Sequence, residues 1–267
     1  MDLIVETPRL AGPGETAEGT RFYTTPGGKG GNQAVAAARI AESPGSVKMV
    51  GRVGDDAFGE QMGKFLKEEG VDISLLRETV GIASGIAAIF ILPDGENHVN
   101  PVYGANGLCD RQQSSDVTEV LSTTGVLLCQ QEIPLPATKA AIDAAARAEV
   151  VVVLDPAPVR QVPDGFYDSV TVLTPNQGEA STMSGIEVTD AVSARSAASA
   201  IRNLGTETVI VTLGDQGAWV ESYGISELLD PFDVPVVASV AAGDAFNGGL
   251  GVGIASGMDL LDAAWLG

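Results

Sequence analysis

The sequence predicts an α/β protein with a mostly parallel central sheet flanked by helices. From residue 117 onward, short apolar runs alternate with helical segments, as in chains whose parallel strands are joined by crossover helices. These runs are rich in valine and leucine, which is typical of strands buried on both faces. Two hairpin-like regions, at about 3–26 and 84–103, interrupt the alternation and predict a small separate β-sheet lid.

Composition agrees with one compact domain spanning residues 1–267. Hydrophobic residues make up 45% of the chain and there are 33 glycines, which fits an α/β enzyme better than a disordered or disulfide-built protein. The formal net charge of −20 argues against nucleic acid and against an anionic membrane as partners, because both require a basic surface.

The two cysteines, Cys109 and Cys129, are isolated in the sequence. This pattern indicates a reducing compartment and core packing rather than a disulfide frame or a metal site. Residues 1–15 lack the apolar run of a signal peptide, and the longest apolar stretch, 246–258, is too short to span a bilayer. We therefore expect a cytoplasmic protein, although an organelle is not excluded.

Apolar patterning and turn residues predict the individual elements. In the first part of the chain we expect strands at 3–5, 47–50, 85–92 and 97–102, and helices at 33–40 and 59–69. In the second part we expect strands at 125–129, 150–154, 170–173, 208–212, 218–222 and 234–240, and helices at 136–147, 176–184, 191–204 and 245–256.

The turn from Ala241 to Gly248 is the most informative stretch, because it joins a β-branched run to an apolar helix. Small residues let the backbone approach a ligand closely, and the free amides of a helix start can bind an anion. Asp244 in this turn has two interpretations of about equal weight. It could cap the helix, or it could accept a proton from a hydroxyl that attacks a phosphate.

A second glycine-dense loop, Gly27 to Asn32, opens the alanine-rich helix predicted at 33–40. Lys29 is not followed by Ser or Thr, so this is not a Walker loop. It is either a flexible turn with a surface lysine or a second set of free amides beside a positive charge.

Polar residues follow several predicted strands, and the carboxyl ends of parallel strands form the usual ligand edge of such sheets. Each has a structural alternative, since Asp155 and Asn176 could be helix caps, and Gly214 and Gly217 could form turns. Together they predict a cleft for a phosphorylated ligand. The residues concerned are Glu132, Asp155, Thr174 to Glu179 and Thr212 to Gly217.

These motifs resemble the sugar and nucleoside kinase family over essentially the whole chain. The run Gly27 to Arg39 resembles the first signature of the ribokinases, and Ala241 to Gly248 resembles the second signature of the wider family. The Gly-Gly-Lys-Gly-x-Asn-Gln form is closer to ribokinases than to fructokinases. The resemblance implies a ribokinase-like three-layer sandwich that phosphorylates the primary hydroxyl of D-ribose with ATP and Mg²⁺. It also implies a homodimer formed through the lid.

The resemblance further implies a role for each matching residue. Asp244 is the general base, and the amides of Ala241, Ala242, Gly243 and Asp244 form an anion hole. The sugar is held by Asp2, Gly28, Lys29, Gly30, Gly31, Asn32 and Glu132. The nucleotide is held by Asn176, Glu179, Thr212, Leu213, Gly214, Asp215, Gln216, Gly217 and Gly243. Glu179 also binds Mg²⁺ through water.

The sequence departs from the family pattern in three places. Ribokinases have a whole strand, ending in a sugar-binding Asn, before the position of Met1, and a further segment after the position of Gly267. Ala238 stands where the family has a potassium-binding aspartate, which leaves the Val240 carbonyl as the remnant of a K⁺ site. We therefore expect a chain truncated at both ends, with one side of its sheet open and weak or no kinase activity. The alternatives are another ribokinase-like sugar kinase, of the fructokinase type, or a catalytically dead sugar- or nucleotide-binding relative.

Overall fold

The computed structural model describes residues 1–235 and 239–267. Its strands are β1 (Asp2–Glu6), β2 (Arg21–Thr25), β3 (Lys48–Gly54), β4 (Asp72–Thr79), β5 (Ile86–Ile91), β6 (Asn97–Val102), β7 (Val126–Cys129), β8 (Val151–Leu154), β9 (Val172–Leu173), β10 (Thr208–Thr212), β11 (Ala218–Ser222) and β12 (Ile225–Leu229). Its α-helices are α1 (Lys29–Ile40), α2 (Ala57–Glu68), α3 (Arg111–Val120), α4 (Leu135–Arg147), α5 (Gln177–Ser184), α6 (Ala191–Arg202), α7 (Ala242–Ala255) and α8 (Leu260–Leu266).

The central sheet has six strands in the order β12-β11-β10-β9-β8-β7. Strands β7 to β10 are parallel, whereas β11 and β12 add to the edge in antiparallel fashion. This arrangement confirms the predicted mostly parallel α/β fold. It also places the carboxyl ends of β7 to β10 along one edge of the sheet.

Helices cover both faces of the central sheet, so the fold has three layers. In β8, Val152 and Leu154 pack into a core that contains Ile142 of α4 and Ile201 of α6. The intervening Val153 packs on the opposite face into a second core, to which α7 and α8 contribute Leu250, Ala263 and Ala264. Because successive strand residues point to opposite faces, both cores need apolar side chains, which explains the unbroken valine and leucine runs.

The two hairpin-like regions form one separate sheet in the order β2-β1-β5-β6. Strand β1 pairs parallel with β5 and antiparallel with β2, while β5 and β6 form the predicted hairpin. In this register Asp2 and Ile4 lie on one face, and Phe22, Phe90 and Val102 lie on the other. We call this four-stranded element the lid sheet.

Strands β3 and β4 form a two-stranded parallel sheet of their own. A cavity of about 570 Å³ is lined by residues of β3 and β7, by helices α1, α3, α4 and α7, and by Asp2, Gly28 and Glu132. Among the described residues, β7 is an edge strand of the central sheet, and this cavity lies between it and β3.

Several predicted boundaries differ from the structure. Helix α1 begins at Lys29 rather than at 33, and α7 begins at Ala242 rather than at 245. Both helices extend backward into their glycine-containing turns, because glycine costs little in a first turn whose amides have no helical partner. Strands β4 and β12 and helices α3 and α8 were not predicted, because their apolar patterns are short or mixed.

The predicted strand at 234–240 is not formed at its described positions. Val234, Pro235, Ser239 and Val240 lie outside any strand or helix, and residues 236–238, including Ala238, lie outside the described residues. Among the described residues, no helix combines the length and the apolar character needed to cross a membrane.

Candidate active site

Helix α7 begins without a side-chain cap. Ala241 is its N-cap in the left-handed conformation, with φ of 61°, and no side chain accepts a hydrogen bond there. The amide of Ala242 donates to the carbonyl of Ser239 at 3.2 Å. Among the described residues, nothing accepts from the amides of Gly243 and Asp244, and a Cβ on Gly243 would meet no atom within 4 Å. Two amides at the positive end of the helix dipole therefore have no hydrogen-bond acceptor among the described residues.

Asp244 occupies the third helical position of α7 but does not cap the helix. Its side chain turns toward α1, where Asn32 Nδ2 donates to Oδ2 at 2.9 Å and Gln33 Nε2 donates to Oδ1 at 3.1 Å. The residue is only 5% exposed. The cap interpretation of Asp244 is thus wrong for this structure, because its carboxylate is held by two side chains of α1 and not by the amides of its own helix.

Helix α1 also begins without a side-chain cap, at Gly28 with φ of 88°. The amide of Lys29 donates to Glu132 Oε2 at 3.0 Å, and Lys29 Nζ forms an ion pair with Asp155 Oδ2 at 3.1 Å. Gly30 and Gly31 lie in this first helical turn, where a Cβ on Gly30 would come within 3.2 Å of neighbouring side chains. The glycine-dense loop is therefore the start of α1, and it lies against the carboxylates of Glu132 and Asp155.

The starts of α1 and α7 lie close together because the two helices pack tightly. A Cβ on Gly248 of α7 would come within 2.6 Å of the Cβ of Ala36 in α1. Asn247 adds a second support, since Thr174 Oγ1 donates to its Oδ1 at 2.7 Å and its Nδ2 donates to the carbonyl of Gly243 at 2.8 Å. This chain of contacts ties the start of α7 to the end of β9.

The site carries more negative charge than its single lysine offsets. Burial raises the pKa of Asp2 and of Glu132, and it raises the pKa of Asp155 to about 6. Burial opposes the charge on Lys29, but the nearby carboxylates, led by Asp155, outweigh it and raise the lysine pKa. Both members of the Lys29–Asp155 pair therefore have a raised pKa, Asp155 chiefly because it is buried and Lys29 because carboxylates surround it.

Asp2 lies at the end of the lid sheet nearest this cluster. A Cβ on Gly27 would collide with the Asp2 carboxylate at 2.2 Å, so glycine is required at that position. Asp2, Gly28 and Glu132 line the same cavity. Asp2 and Glu132, which face α1 from different sheets, are thus brought to one pocket.

On the other side of the cluster, Asn176 and Glu179 form a capping box at the start of α5. Asn176 Oδ1 accepts from the amide of Glu179 at 2.9 Å, and Glu179 Oε2 accepts from the amide of Asn176 at 2.9 Å. The cap interpretation of Asn176 is therefore correct. Asn176 also forms an isolated parallel bridge with Thr212, so the loop after β10 lies beside it.

The loop after β10 is a tight turn with positive φ at Gly214 and Gly217, as expected for turn-forming glycines. Gly217 lies so close to the carbonyl of Leu229 that a Cβ would come within 2.0 Å. The side chain of Leu213 is buried in the core, which leaves only its backbone for a ligand, whereas Asp215 and Gln216 are exposed.

The described residues include a carboxylate suited to Mg²⁺, whereas the expected K⁺ ligands lie partly outside the described residues. Mg²⁺ is usually bound by one or two carboxylates together with substrate phosphates and water, and Glu179 supplies such a carboxylate. No group of three metal-ligating side chains occurs in the described part of the chain. For K⁺, the Val240 carbonyl alone does not form a cage, and Ala238 lies outside the described residues.

Sequence reasoning gave no role to two polar residues that organise this site, Gln33 and Asn247. Gln33 and Asn247 lie inside the recognised motifs, but glutamine and asparagine on a helix look like ordinary surface residues until their burial is known. Asp155 was identified after its strand, although not as the partner of Lys29. A useful signal is a polar residue in an otherwise apolar helical face, as at Gln33 and Asn247, which are 1% and 2% exposed.

Comparisons with known proteins agree with this geometry. Residues 1–267 match the family model of pfkB family carbohydrate kinases. A ribokinase of Haemophilus influenzae is 35% identical over 93% of this chain and 80% of the relative, and a ribokinase of Schizosaccharomyces pombe is 35% identical over 98% and 85%. The structure of Arabidopsis thaliana ribokinase complexed with ribose and ATP superposes with a TM-score of 0.88, at 30% identity, over 98% of this chain and 85% of that one. The chain belongs to the pfkB family of carbohydrate kinases.

Proposed function

We propose that this kinase transfers the γ-phosphoryl group of ATP to the primary hydroxyl of D-ribose, with Asp244 as the general base. The observation that carries the proposal is the start of α7. There a buried carboxylate that does not cap the helix belongs to the same first turn as two amides that have no acceptor among the described residues. The similarity to ribokinases along the chain supports D-ribose as the acceptor.

In the proposed reaction, the Asp244 carboxylate accepts the proton of the primary hydroxyl as its oxygen attacks the γ-phosphorus. The bond between that phosphorus and the β,γ-bridging oxygen breaks, and ADP leaves. The amides of Gly243 and Asp244 donate to the transferred group, where charge is spread over its outer oxygens. Because these donors are fixed before the reaction, they stabilise that charge without reorganisation.

The sugar pocket is proposed on the α1 side of Asp244. Asp2, Glu132 and Asn32 offer hydrogen-bond acceptors and a donor to sugar hydroxyls, while Lys29 supplies the positive charge. Gly28, Gly30 and Gly31 leave room for the ring to approach the helix start. Hydroxyl-rich ligands suit this pocket, because each buried polar group then gains a partner.

The nucleotide is proposed on the α5 side, along Asn176, Glu179, Gly243 and the loop from Thr212 to Gly217. Glu179 would hold Mg²⁺ through water. When bound, the ion supplies positive charge to the phosphate oxygens, which matters at a site with several carboxylates and one lysine. K⁺ forms no part of the proposal, because Ala238 replaces the expected aspartate ligand and lies outside the described residues.

We further propose that the lid sheet mediates a homodimer. Its face away from Asp2 carries Val5, Phe90, Phe22 and Val102, and the last two are 63% and 59% exposed. An apolar sheet face of this kind is typical of a surface that packs against another protein. Light scattering tests this by comparing the wild-type chain with Phe22→Glu. We expect the wild type to be a dimer and Phe22→Glu to be a monomer.

A cytoplasmic location completes the proposal. Both cysteines are free thiols, and burial raises their pKa values, to about 11 for Cys109 and about 12 for Cys129. Such unreactive thiols suit a reducing compartment.

The proposed function is tested by coupling ADP formation to NADH oxidation with ATP, Mg²⁺ and a panel of D-ribose, 2-deoxy-D-ribose and D-fructose. We expect the highest kcat/KM with D-ribose, and phosphorus NMR should show a phosphate on its primary carbon. A preference for D-fructose would favour the fructokinase alternative. Binding of ribose or ATP in a thermal-shift experiment with no turnover at high enzyme concentration would favour the dead relative.

A further inference from the structure

Gln33 of α1 is the polar side chain that touches both carboxylates at the centre of the site. It is 1% exposed, and its Nε2 atom lies 3.1 Å from Asp244 Oδ1 and 3.0 Å from Asp155 Oδ2. A primary amide nitrogen has two hydrogens, so one hydrogen can be donated to each carboxylate. Both hydrogens of the Gln33 amide are therefore donated to carboxylates of the active site.

The orientation of this amide is fixed from the opposite side. Gln33 Oε1 accepts a hydrogen bond from Gln130 Nε2, just beyond β7. Rotating the amide by 180° would place its oxygen against two carboxylates and its nitrogen against another nitrogen donor. Gln130 thus selects the one orientation in which Gln33 donates to both acids.

The two carboxylates that Gln33 joins belong to different elements. Asp244 lies on α7, and Asp155 follows β8, where it also accepts from Lys29 Nζ at 3.1 Å and from the amide of Ala157 at 3.2 Å. Two buried carboxylates repel each other unless donors lie between them. Without the Gln33 amide, Asp244 would keep one donor, Asn32, and would be free to rotate about its Cβ–Cγ bond.

We infer that Gln33 is a positioning residue that holds the Asp244 carboxylate in the orientation required to take the proton from the acceptor hydroxyl. Each oxygen of Asp244 has one side-chain donor, Asn32 or Gln33, which fixes the plane of the carboxylate and leaves lone pairs free for the substrate. This inference rests on the proposed function, because it assigns Gln33 a role in the same proton transfer. It predicts a loss in the chemical step rather than in sugar binding.

The test compares Gln33→Met with Gln113→Met in the full chain. Methionine keeps the length of glutamine but has no N–H donor. Gln113 is a matched control, because it is also buried and hydrogen bonded, to Arg52 and to the amide of Asp110, and it forms no hydrogen bond with Asp244, Asp155 or Lys29. We expect Gln33→Met to lower kcat about 10- to 100-fold, with KM for D-ribose changed less than about threefold. Gln113→Met should leave kcat unchanged.

A second variant, Gln33→Glu, separates positioning from packing. Position 33 is faced by Asp244, Asp155, Lys29 and Gln130, so an ionised glutamate there would repel two carboxylates and lose both donated bonds. A protonated glutamate regains one O–H donor. Relative to wild type, we expect kcat of Gln33→Glu to rise as the pH is lowered from about 8 to about 6, whereas a purely structural role predicts a constant ratio.

The outcomes distinguish this inference from the proposed function. A kcat of folded Gln33→Met within twofold of wild type would overturn the positioning role alone, as would an equal loss in Gln113→Met. If Gln33→Met does not fold, a pH-independent activity ratio for Gln33→Glu would overturn it instead. Absence of wild-type turnover of D-ribose would overturn both the proposed function and the inference.

Discussion

Helices α5 and α7 both begin with an acidic residue at their third position, yet the two acids are used differently. In α5, Glu179 folds back on the amide of Asn176 while Asn176 caps the amide of Glu179. In α7, the N-cap is Ala241, and Asp244 points away from its own helix to Asn32 and Gln33. One helix start is closed on itself, and the other is left open.

This difference shows how the same local pattern can serve stability or chemistry. A capping box satisfies two orphan amides and stabilises a helix by about 1 kcal/mol. Helix α7 lacks that contribution, carries a non-glycine residue with positive φ, and is instead stabilised by packing on α1 and by Asn247. Its free amides and its carboxylate remain available to a ligand.

Among changes that leave every charged group of the site in place, the largest expected effect follows from closing the open start of α7 with Gly243→Ala. A Cβ there meets no protein atom within 4 Å, and alanine is favoured over glycine within a helix by about 1 kcal/mol. We therefore expect unchanged or higher thermal stability. We expect kcat to fall about 100- to 1,000-fold, because the methyl group obstructs the transferred phosphoryl group at the free amides.

The matched control is Gly63→Ala in α2, where a Cβ would make ordinary contact at 3.9 Å with Ile73. It should raise stability similarly while leaving kcat unchanged. If Gly243→Ala retained wild-type kcat, no phosphoryl group would bind at the start of α7.

The charge cluster near α7 should make stability depend on pH. The pKa of Asp155 is about 6 in the folded protein, against an ordinary value of 3.8. A raised folded pKa means that the native state binds the proton more tightly, so its stabilisation is present below about pH 4 and is lost as the pH rises through about 6. From pH 4 to 7 the wild type should therefore lose up to about 3 kcal/mol relative to Asp155→Asn.

Urea unfolding of both proteins at each pH measures this difference in the free energy of unfolding. A constant difference across the range would mean that Asp155 is not desolvated as the structure indicates. The exposed acidic residues elsewhere are the same in both proteins, so their effect on the free energy of unfolding cancels in this difference.

Moving α1 away from α7 should disturb the start of α7, because the packing of the two helices supports it. Gly248→Ala would place a methyl group 2.6 Å from the Cβ of Ala36 and 2.8 Å from the amide nitrogen of Ala37. We expect a loss of about 1 to 3 kcal/mol in unfolding free energy from overpacking, together with a lower kcat, since Asn32 and Gln33 would shift from Asp244. Full activity in a destabilised Gly248→Ala would indicate that this spacing does not position the acid.

The smallest effect is expected at the closed start, with Asn176→Ala. Loss of the cap should cost about 1 kcal/mol of stability, measured by urea unfolding. If Asn176 also serves the nucleotide, KM for ATP should rise, whereas Asp190→Ala, which removes a similar cap from α6, should cost stability alone. An equal KM for ATP in both variants would show that Asn176 acts only as a helix cap.

Much of the fold could be predicted from the sequence because buried parallel strands need apolar residues on both faces. Val152 to Leu154 and Val209 to Val211 are visible as such runs, and the Pro93 to Glu96 turn marks the lid hairpin. Strand β4, with polar and apolar residues mixed, and the short helix α8 give no comparable periodicity. Their positions depend on tertiary contacts that local sequence does not encode.

The motifs of the site could be predicted from the sequence, but the contacts between its side chains could not. The positions of Asp244, Lys29 and Glu132 follow from their places after strands and at helix starts. The ion pair of Lys29 with Asp155 joins residues that are 126 positions apart in the chain. The contact of Gln33 with Asp244, one of the two acids that it bridges, joins residues that are 211 positions apart. For the same reason, Asp244 as a cap and Asp244 as a base could be distinguished only once its neighbours were known.

The most direct test of the account is the activity of Asp244→Asn compared with that of Asp262→Asn. Asp262 occupies the same third position in α8, whose N-cap is Asp259, so both changes remove an acid from a first helical turn. If Asp244 is the base, its substitution should lower kcat for D-ribose at least about 1,000-fold without loss of folding, while Asp262→Asn retains wild-type kcat. Comparable kcat values for Asp244→Asn and the wild type would contradict the central claim.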